Sequence, residues 1–250
     1  MLFRSSWLRD PQGEVERISK AFNEALTSIK TPAKPAERKV KVEPIHTLKN
    51  SDQSSPTEST FVNLFNDVET WSALEPSIIG TKEHLDYLYD TNVINAIEKI
   101  ASQLTNVEGP VSAERFAKFI GACFGLNRVV ANRVDSINSL RLPGFQRDEE
   151  GFIFPKGETY FTFKIWRKGT ENEGRNLGAI SLSEISNCMR DVAFAGQGVR
   201  KDQLYKEASR LLGIAKVSAT SNDRLDAALK FAIANGRLIN SGEYLQAVTI

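Results

Sequence analysis

The sequence predicts a mainly α-helical protein with small β hairpins (α+β), in which one compact unit occurs twice. Turn and apolar residues recur in the second half of the chain, so that Val199 follows Val111, and Gly213 follows Gly125, by 88 positions (199 − 111 and 213 − 125). Apolar residues recur at helical spacing around both landmarks. Each copy ends in a short alternating segment around a turn, which is typical of a β hairpin. A repeat this long indicates a duplicated small domain, since the units of solenoid proteins are shorter.

The first copy is predicted to contain three helices and a hairpin. Apolar residues at helical spacing from Val93 to Leu104 indicate the first helix. Ser112 is expected to cap the second helix, and Asn127 is expected to open the third. The segment 145–155 alternates around the sequence Asp-Glu-Glu-Gly and predicts a short two-stranded wing.

The second copy is predicted to repeat this order. Apolar spacing indicates helices over about 182–192, 202–212 and 220–234. The last helix is expected to end at Asn235-Gly236, because glycine readily takes the left-handed conformation that ends a helix. A hairpin is predicted over 237–248. Three helices closed by a hairpin form the winged-helix arrangement, so the sequence predicts two tandem winged-helix-like units.

Five segments are predicted along the chain. The first contains an amphipathic helix from about Glu14 to Ile29. The second is rich in proline, lysine and serine and has little apolar pattern, which cannot repay the entropy lost on ordering. The predicted boundaries are 1–30 for the terminal helix, 31–60 for a flexible linker, 61–155 for the first unit with an N-terminal extension that packs onto it, 156–180 for a connector with an extra strand or strap, and 181–250 for the second unit.

Composition limits the classes of function. Of the 250 residues, 41% are hydrophobic and 25% are charged, as in an ordinary globular protein, and the net charge is +1. A nucleic-acid role would therefore depend on local surfaces and not on overall charge. No stretch reaches the roughly 18 apolar residues of a membrane span. We expect a cytoplasmic protein with no membrane partner.

The sequence predicts no metal site and no cofactor. Its two cysteines, Cys123 and Cys188, each lie within an amphipathic helical pattern, where a thiol serves as a small core side chain. Its two histidines, His46 and His84, do not combine with the cysteines at the spacing of a zinc site.

No complete catalytic constellation is present in the sequence. The chain lacks a Gly-x-x-x-x-Gly-Lys-Ser/Thr phosphate loop and a Gly-x-Ser-x-Gly nucleophile elbow. The acidic run Asp148-Glu149-Glu150 lies at a predicted hairpin turn, where neighbouring side chains diverge, so we interpret it as a solvated turn. We therefore expect that this chain is not an enzyme.

The third helix and the hairpin of each unit are the predicted contact surfaces for DNA. A helix in the major groove presents short polar or basic side chains that donate to base edges and phosphates. The candidates are Asn127, Arg128, Asn132, Arg133 and Arg147 in the first unit, and Lys216, Ser218, Thr220, Asn222, Arg224, Lys230 and Arg237 in the second. The alternative is an ordinary polar surface or a protein-docking face, because acidic and basic residues nearly balance in both units.

Four runs of the sequence resemble a known family. They are Val107–Val111, Phe124–Arg128, Gly151–Pro155 and Ile180–Met189. The similar family is an uncharacterised domain at the C-terminus of large bacterial superfamily I DNA/RNA helicase proteins, where it follows an endonuclease domain similar to the very-short-patch-repair nuclease. The opening run Phe3–Pro11 resembles the end of that nuclease domain.

The resemblance implies an accessory module of a helicase-nuclease that processes DNA in defence or repair. Residues 1–30 would then be the terminal helix of a nuclease-like domain, and the helicase and nuclease domains would be partners in cis or in trans. The resemblance implies no activity for this chain, because the motor motifs and nuclease carboxylates have no match in it. The alternative is a docking module that positions those domains.

Overall fold

The structure is a computed structural model that describes residues 64–170, 175–214 and 218–248. The predicted terminal helix at 1–30 and linker at 31–60 lie outside the described residues. Over these ranges the protein is mainly helical with a small two-stranded antiparallel sheet, which confirms the predicted α+β class. Within the same ranges, no helix combines the length and apolar character needed to cross a membrane.

Six α-helices and two strands follow one another in the described part of the chain. They are α1 (Thr91–Glu108), α2 (Ala113–Cys123), α3 (Ala131–Asn138), α4 (Leu182–Ala195), α5 (Lys201–Leu211), α6 (Ala219–Ala234), β1 (Leu238–Ser241) and β2 (Tyr244–Ala247). Short 3-10 helices at Lys82–Asp86 and Leu177–Ala179 precede α1 and α4. We call α1 to α3 with the turn at 145–155 unit 1, and α4 to α6 with β1 and β2 unit 2.

The two units end their second helix with the same turn. α2 and α5 are each 11 residues long. Gly125 (φ 77°) and Gly213 (φ 76°) follow them in the left-handed conformation, which costs glycine little. In both units the amide after this glycine donates at 2.9 Å to a helix carbonyl five residues earlier. This bond satisfies a carbonyl that the helix end would otherwise leave unpaired.

A backbone bridge connects the start of the second helix to the hairpin in both units. Val111 and Ile153 exchange hydrogen bonds of 3.0 and 2.8 Å, and Val199 and Leu245 exchange the same two bonds at the same distances. Ile153 and Leu245, which lie in the hairpins, also pair with a residue on the other side of their own hairpin turn. Both units therefore follow the order helix, bridge, helix, helix, hairpin.

The two hairpins differ in length. β1 and β2 pair along all four residues, with Ser241 opposite Tyr244 at the turn. In unit 1 the pairing across the turn is limited to a bridge between Arg147 and Ile153. The carboxylate of Asp148 closes this turn by accepting the amides two and four residues further on, at 3.1 and 2.8 Å. The predicted first wing is thus a side-chain-closed turn with little strand pairing.

Each unit has its own apolar core. Ile97 in α1 and Ile185 in α4 are fully buried at corresponding places in the two cores. Phe116 in α2 and Leu204 in α5 are likewise fully buried. The offset of 88 positions therefore relates buried side chains as well as turns.

The extension before α1 contacts both units, whereas the sequence placed it on the first unit alone. On unit 1, the amide of Ile79 donates to the carbonyl of Cys123, the last residue of α2, at 2.8 Å. At the other end, Phe65 packs edge-on against Trp166 in the core of unit 2, with ring centroids 5.6 Å apart. The extension therefore ties the two units together.

The connector holds unit 2 much as the extension holds unit 1. The amide of Gly169 donates at 2.9 Å to the carbonyl of Leu211, which corresponds in α5 to Cys123 in α2. The backbones approach so closely that a Cβ atom on Gly169 would lie 2.0 Å from the carbonyl oxygen of Leu212. Glycine is therefore required at this crossing. Each unit begins with a backbone strap across the end of its second helix.

Candidate nucleic-acid interface

The first predicted contact surface lies before α3 and in its first turn. The sequence placed the start of this helix at Asn127, but α3 begins at Ala131 after an extended Val130 (φ −80°, ψ 158°). Val130 and the residue before it are β-branched, which disfavours helix initiation there. Asn127 and Arg128 are exposed in the turn that leads to α3, and Asn132 is exposed in the helix. These three side chains lie on the surface.

Arg133 is held by the segment that precedes α1. Its guanidinium donates to the backbone carbonyl of Leu85 and, at 2.6 Å, to the carboxylate of Asp86. These bonds fasten α3 to the 3-10 helix at Lys82–Asp86. A phosphate would have to displace Asp86 to reach this guanidinium, so we assign Arg133 a structural role.

Arg147 stabilises the turn of unit 1. Its guanidinium lies over the ring of Phe116, 5.7 Å from the centroid, and donates to the carbonyl of Gly151 at 3.3 Å. Partial burial lowers the pKa of Arg147. The side chain is therefore engaged with its own unit.

The prediction that Arg237 is a wing contact for phosphate is wrong, because its side chain is buried with 1% of the residue exposed. The guanidinium donates to the carbonyl of Ser183 at 2.9 Å, to the hydroxyl of Ser186, and to the carbonyl of Tyr160 at 2.7 Å. It also lies 5.3 Å from the ring centroid of Phe231. Burial, with a smaller contribution from a nearby arginine, lowers the pKa of Arg237 to about 10. Arg237 fastens the connector to α4.

Arg224 joins the two units. From α6 it donates at 2.5 Å to the carboxylate of Glu150 in the turn of unit 1, and at 2.7 Å to the carbonyl of Ile180 before α4. Its guanidinium lies 5.8 Å from the ring centroid of Phe152. With 16% of its side chain exposed, Arg224 belongs to the contact between units and not to a free surface.

The outer face of α6 keeps the other predicted residues exposed. Ser218, Thr220, Asn222 and Lys230 are all exposed. Ser218 is the N-cap of the helix, and its hydroxyl accepts the amide three residues further on at 3.2 Å. Lys216 lies outside the described residues.

An ion pair fastens α5 to this face. Lys201 donates to Asp226 of α6 at 2.7 Å, and the hydroxyl of Tyr205 donates to the same carboxylate at 2.5 Å. The Lys201 hydrogen bond, followed by that of Tyr205, lowers the pKa of Asp226, and burial together with Asp226 raises the pKa of Tyr205. Lys230 lies one helical turn beyond Asp226. Sequence reasoning missed Lys201, because it depends on two helices meeting in space.

In the described ranges, no group of three or more His, Cys, Asp or Glu side chains could hold a metal ion. Cys123 and Cys188 are free thiols in the cores. Burial raises the pKa of Cys123 to about 11 and that of Cys188 well above its ordinary value, so both are protonated at neutral pH.

Comparison of the chain with protein-family models, with curated proteins and with solved structures finds no match. The geometry of its own residues is therefore the basis for assigning a role to this protein.

Proposed function

We propose that this chain is a noncatalytic nucleic-acid-binding module made of two winged-helix-like units. The observation that carries the proposal is the bridge shared by the two units, from Val111 to Ile153 and from Val199 to Leu245. Together with the three helices around it, this pairing supports a winged-helix-like arrangement. In helix-turn-helix proteins the recognition helix contacts the major groove. The matching surfaces here are the turn before α3 and the outer face of α6.

Two exposed cations supply the proposed affinity. Arg128 serves unit 1 and Lys230 serves unit 2. The exposed amides of Asn127 and Asn132 provide donors and acceptors of the kind that read base edges. Contacts of these cations with phosphates release counterions, so the affinity falls as salt rises.

The wider setting follows from the resemblance of four sequence runs to helicase-associated domains. The module would serve a helicase-nuclease that processes DNA in defence or repair. The helicase and nuclease domains would then be partners in cis or in trans, and the catalytic chemistry would belong to them.

Fluorescence anisotropy with a labelled DNA duplex at two salt concentrations tests this function. We expect binding that weakens as salt rises. Arg128→Glu should weaken binding and reduce the slope against log salt by about 1, because one phosphate contact is lost. Lys99→Glu, which changes an exposed lysine of α1 and gives the same net charge, is the matched control. Equal losses in the two variants would contradict a localised interface.

Protein docking is the second candidate function. It is favoured by apolar side chains exposed on unit 1 and its extension, namely Tyr89 at 78%, Ile78 at 74% and Val130 at 60%. Exposed apolar surface of this kind marks protein interaction sites when it forms a contiguous patch. Under this alternative the duplex would not bind at either salt concentration.

A further inference from the structure

The connector runs along α4 and is fixed to it at three successive helical turns. The side chains of Ser183, Asn187 and Asp191 hydrogen-bond to it at 2.9, 3.0 and 2.8 Å. Their partners span Tyr160–Trp166 in the same direction as the helix. This part of the connector is therefore a surface segment that hydrogen bonds hold against α4.

Side chains of this segment divide between the core and the solvent. Phe163 is buried, whereas Phe161 is 54% exposed and Ile165 is 45% exposed. Lys164, between them, is exposed. The ring of Phe161 lies against that of Tyr160, with centroids 4.0 Å apart. Because the fold already orders this phenyl ring, little side-chain entropy is lost when a ligand binds to its apolar face.

Lys164 is the cation of this exposed segment. It takes part in no ion pair among the described residues, whereas Arg190 of α4 is paired with Asp191. Arg237, buried beneath, hydrogen-bonds to neutral groups. Burial first, and then the charges of Arg237 and Arg190, lower the pKa of Lys164, while Glu158 acts in the opposite direction. We call Phe161, Lys164 and Ile165 the connector strip.

We propose that the connector strip binds an unpaired nucleic-acid strand, with a base stacked on Phe161 and a phosphate beside Lys164. Proteins that bind single strands combine aromatic faces for the bases with a cationic path for the backbone. The inference rests on the proposed nucleic-acid function and adds a path for a single strand to the duplex surfaces of α3 and α6. Bases in a duplex are stacked on one another, so Phe161 favours the unpaired strand.

Anisotropy of a fluorescein-labelled oligothymidylate of about 16 nucleotides, titrated with the full chain, tests the connector strip. Phe161→Ala is expected to weaken binding about tenfold, because one base loses its stacking partner. Lys164→Glu is expected to weaken binding and to make it less sensitive to salt. The matched controls are Tyr89→Ala, an exposed aromatic elsewhere, and Lys99→Glu; both should keep the affinity of the unchanged protein.

An abasic strand of the same length separates stacking from charge. Its affinity should be unchanged by Phe161→Ala and lowered by Lys164→Glu. Circular dichroism spectra of each variant check that the fold is kept.

Three results would overturn the connector strip. They are failure of the unchanged protein to bind the oligothymidylate, equal losses in the control variants, and competition by polyglutamate as effective as that of unlabelled oligothymidylate. The last would identify an acidic polypeptide as the occupant. Duplex affinity measured in parallel keeps the two proposals apart, because loss of duplex binding alone contradicts only the surfaces on α3 and α6.

Discussion

Replacing Arg224 by alanine is expected to destabilise the protein while leaving its affinity for duplex DNA nearly unchanged. The guanidinium contacts Glu150 and Phe152 of unit 1 and the carbonyl of Ile180 before α4. Because the sequence pattern assigned Arg224 to a DNA-contact face, this replacement separates the structural role from the predicted one.

Three contacts set the size of the effect. The charged hydrogen bond to the Ile180 carbonyl contributes about 1.5 kcal/mol, the partly exposed ion pair with Glu150 about 0.5 kcal/mol, and the contact with the Phe152 ring about 0.5 kcal/mol. The Nε atom of Arg224 is buried without a hydrogen-bond partner in the described ranges, which offsets part of this gain. We expect Arg224→Ala to lower the free energy of unfolding by about 2 kcal/mol.

Urea denaturation followed by circular dichroism measures this free energy. Glu150→Gln, which removes the ion pair alone, should cost about 0.5 kcal/mol, and a double-mutant cycle should return a coupling of similar size. Lys230→Ala, at an exposed position of the same helix, is the control and should stay within about 0.5 kcal/mol of the unchanged protein. An Arg224→Ala protein with unchanged stability and sharply reduced duplex affinity would refute the reasoning.

Three further predictions concern helix-ending glycines, the thiols and the buried arginine. Gly213→Ala should lower the thermal unfolding midpoint more than Gly236→Ala. Both glycines have a positive φ, but only at Gly213 would the new Cβ atom meet the backbone of the connector, at 2.7 Å. Equal shifts of the midpoint would contradict this reasoning. Cys123 and Cys188 should resist alkylation in the folded protein at neutral pH. The pKa of the Cys123 thiol rises from its ordinary value of 9.0 to about 11 in the folded protein, so between these pH values only the unfolded chain releases the proton. The free energy of unfolding should therefore fall as the pH rises from 9.0 towards 11. A rise of the free energy of unfolding across that window would contradict the prediction. Arg237→Met should lower the thermal unfolding midpoint less than Arg237→Ala. Methionine fills most of the buried space and removes an uncompensated charge. The reverse order of midpoints in calorimetry would contradict the role given to this arginine.

The features that could be predicted from the sequence are local. Gly125 and Gly213 follow the ends of their helices, where a left-handed residue is needed. Glycine adopts this conformation readily, so its position in the sequence indicates the helix end. Ser112 accepts the amide of Arg115 as the predicted N-cap of α2. Such signals depend on neighbours within a few positions, so a single sequence reveals them.

Whether the predicted contact residues are buried or exposed could not be predicted in the same way. Arg237 is satisfied by the carbonyl of Tyr160, 77 positions away, and Arg224 by the carboxylate of Glu150, 74 positions away. A basic residue on an amphipathic helix or hairpin looks solvent-exposed until such distant acceptors are known. Backbone carbonyls leave no pattern in the sequence, so the burial of Arg237 required the fold.

The salt dependence of duplex binding tests the proposed function most directly. On the full chain, the logarithm of the association constant is measured against the logarithm of the salt concentration. Two phosphate contacts, from Arg128 and Lys230, predict a slope of about −2. A slope near zero, or no binding at low salt, would contradict the assignment of this protein to nucleic-acid binding.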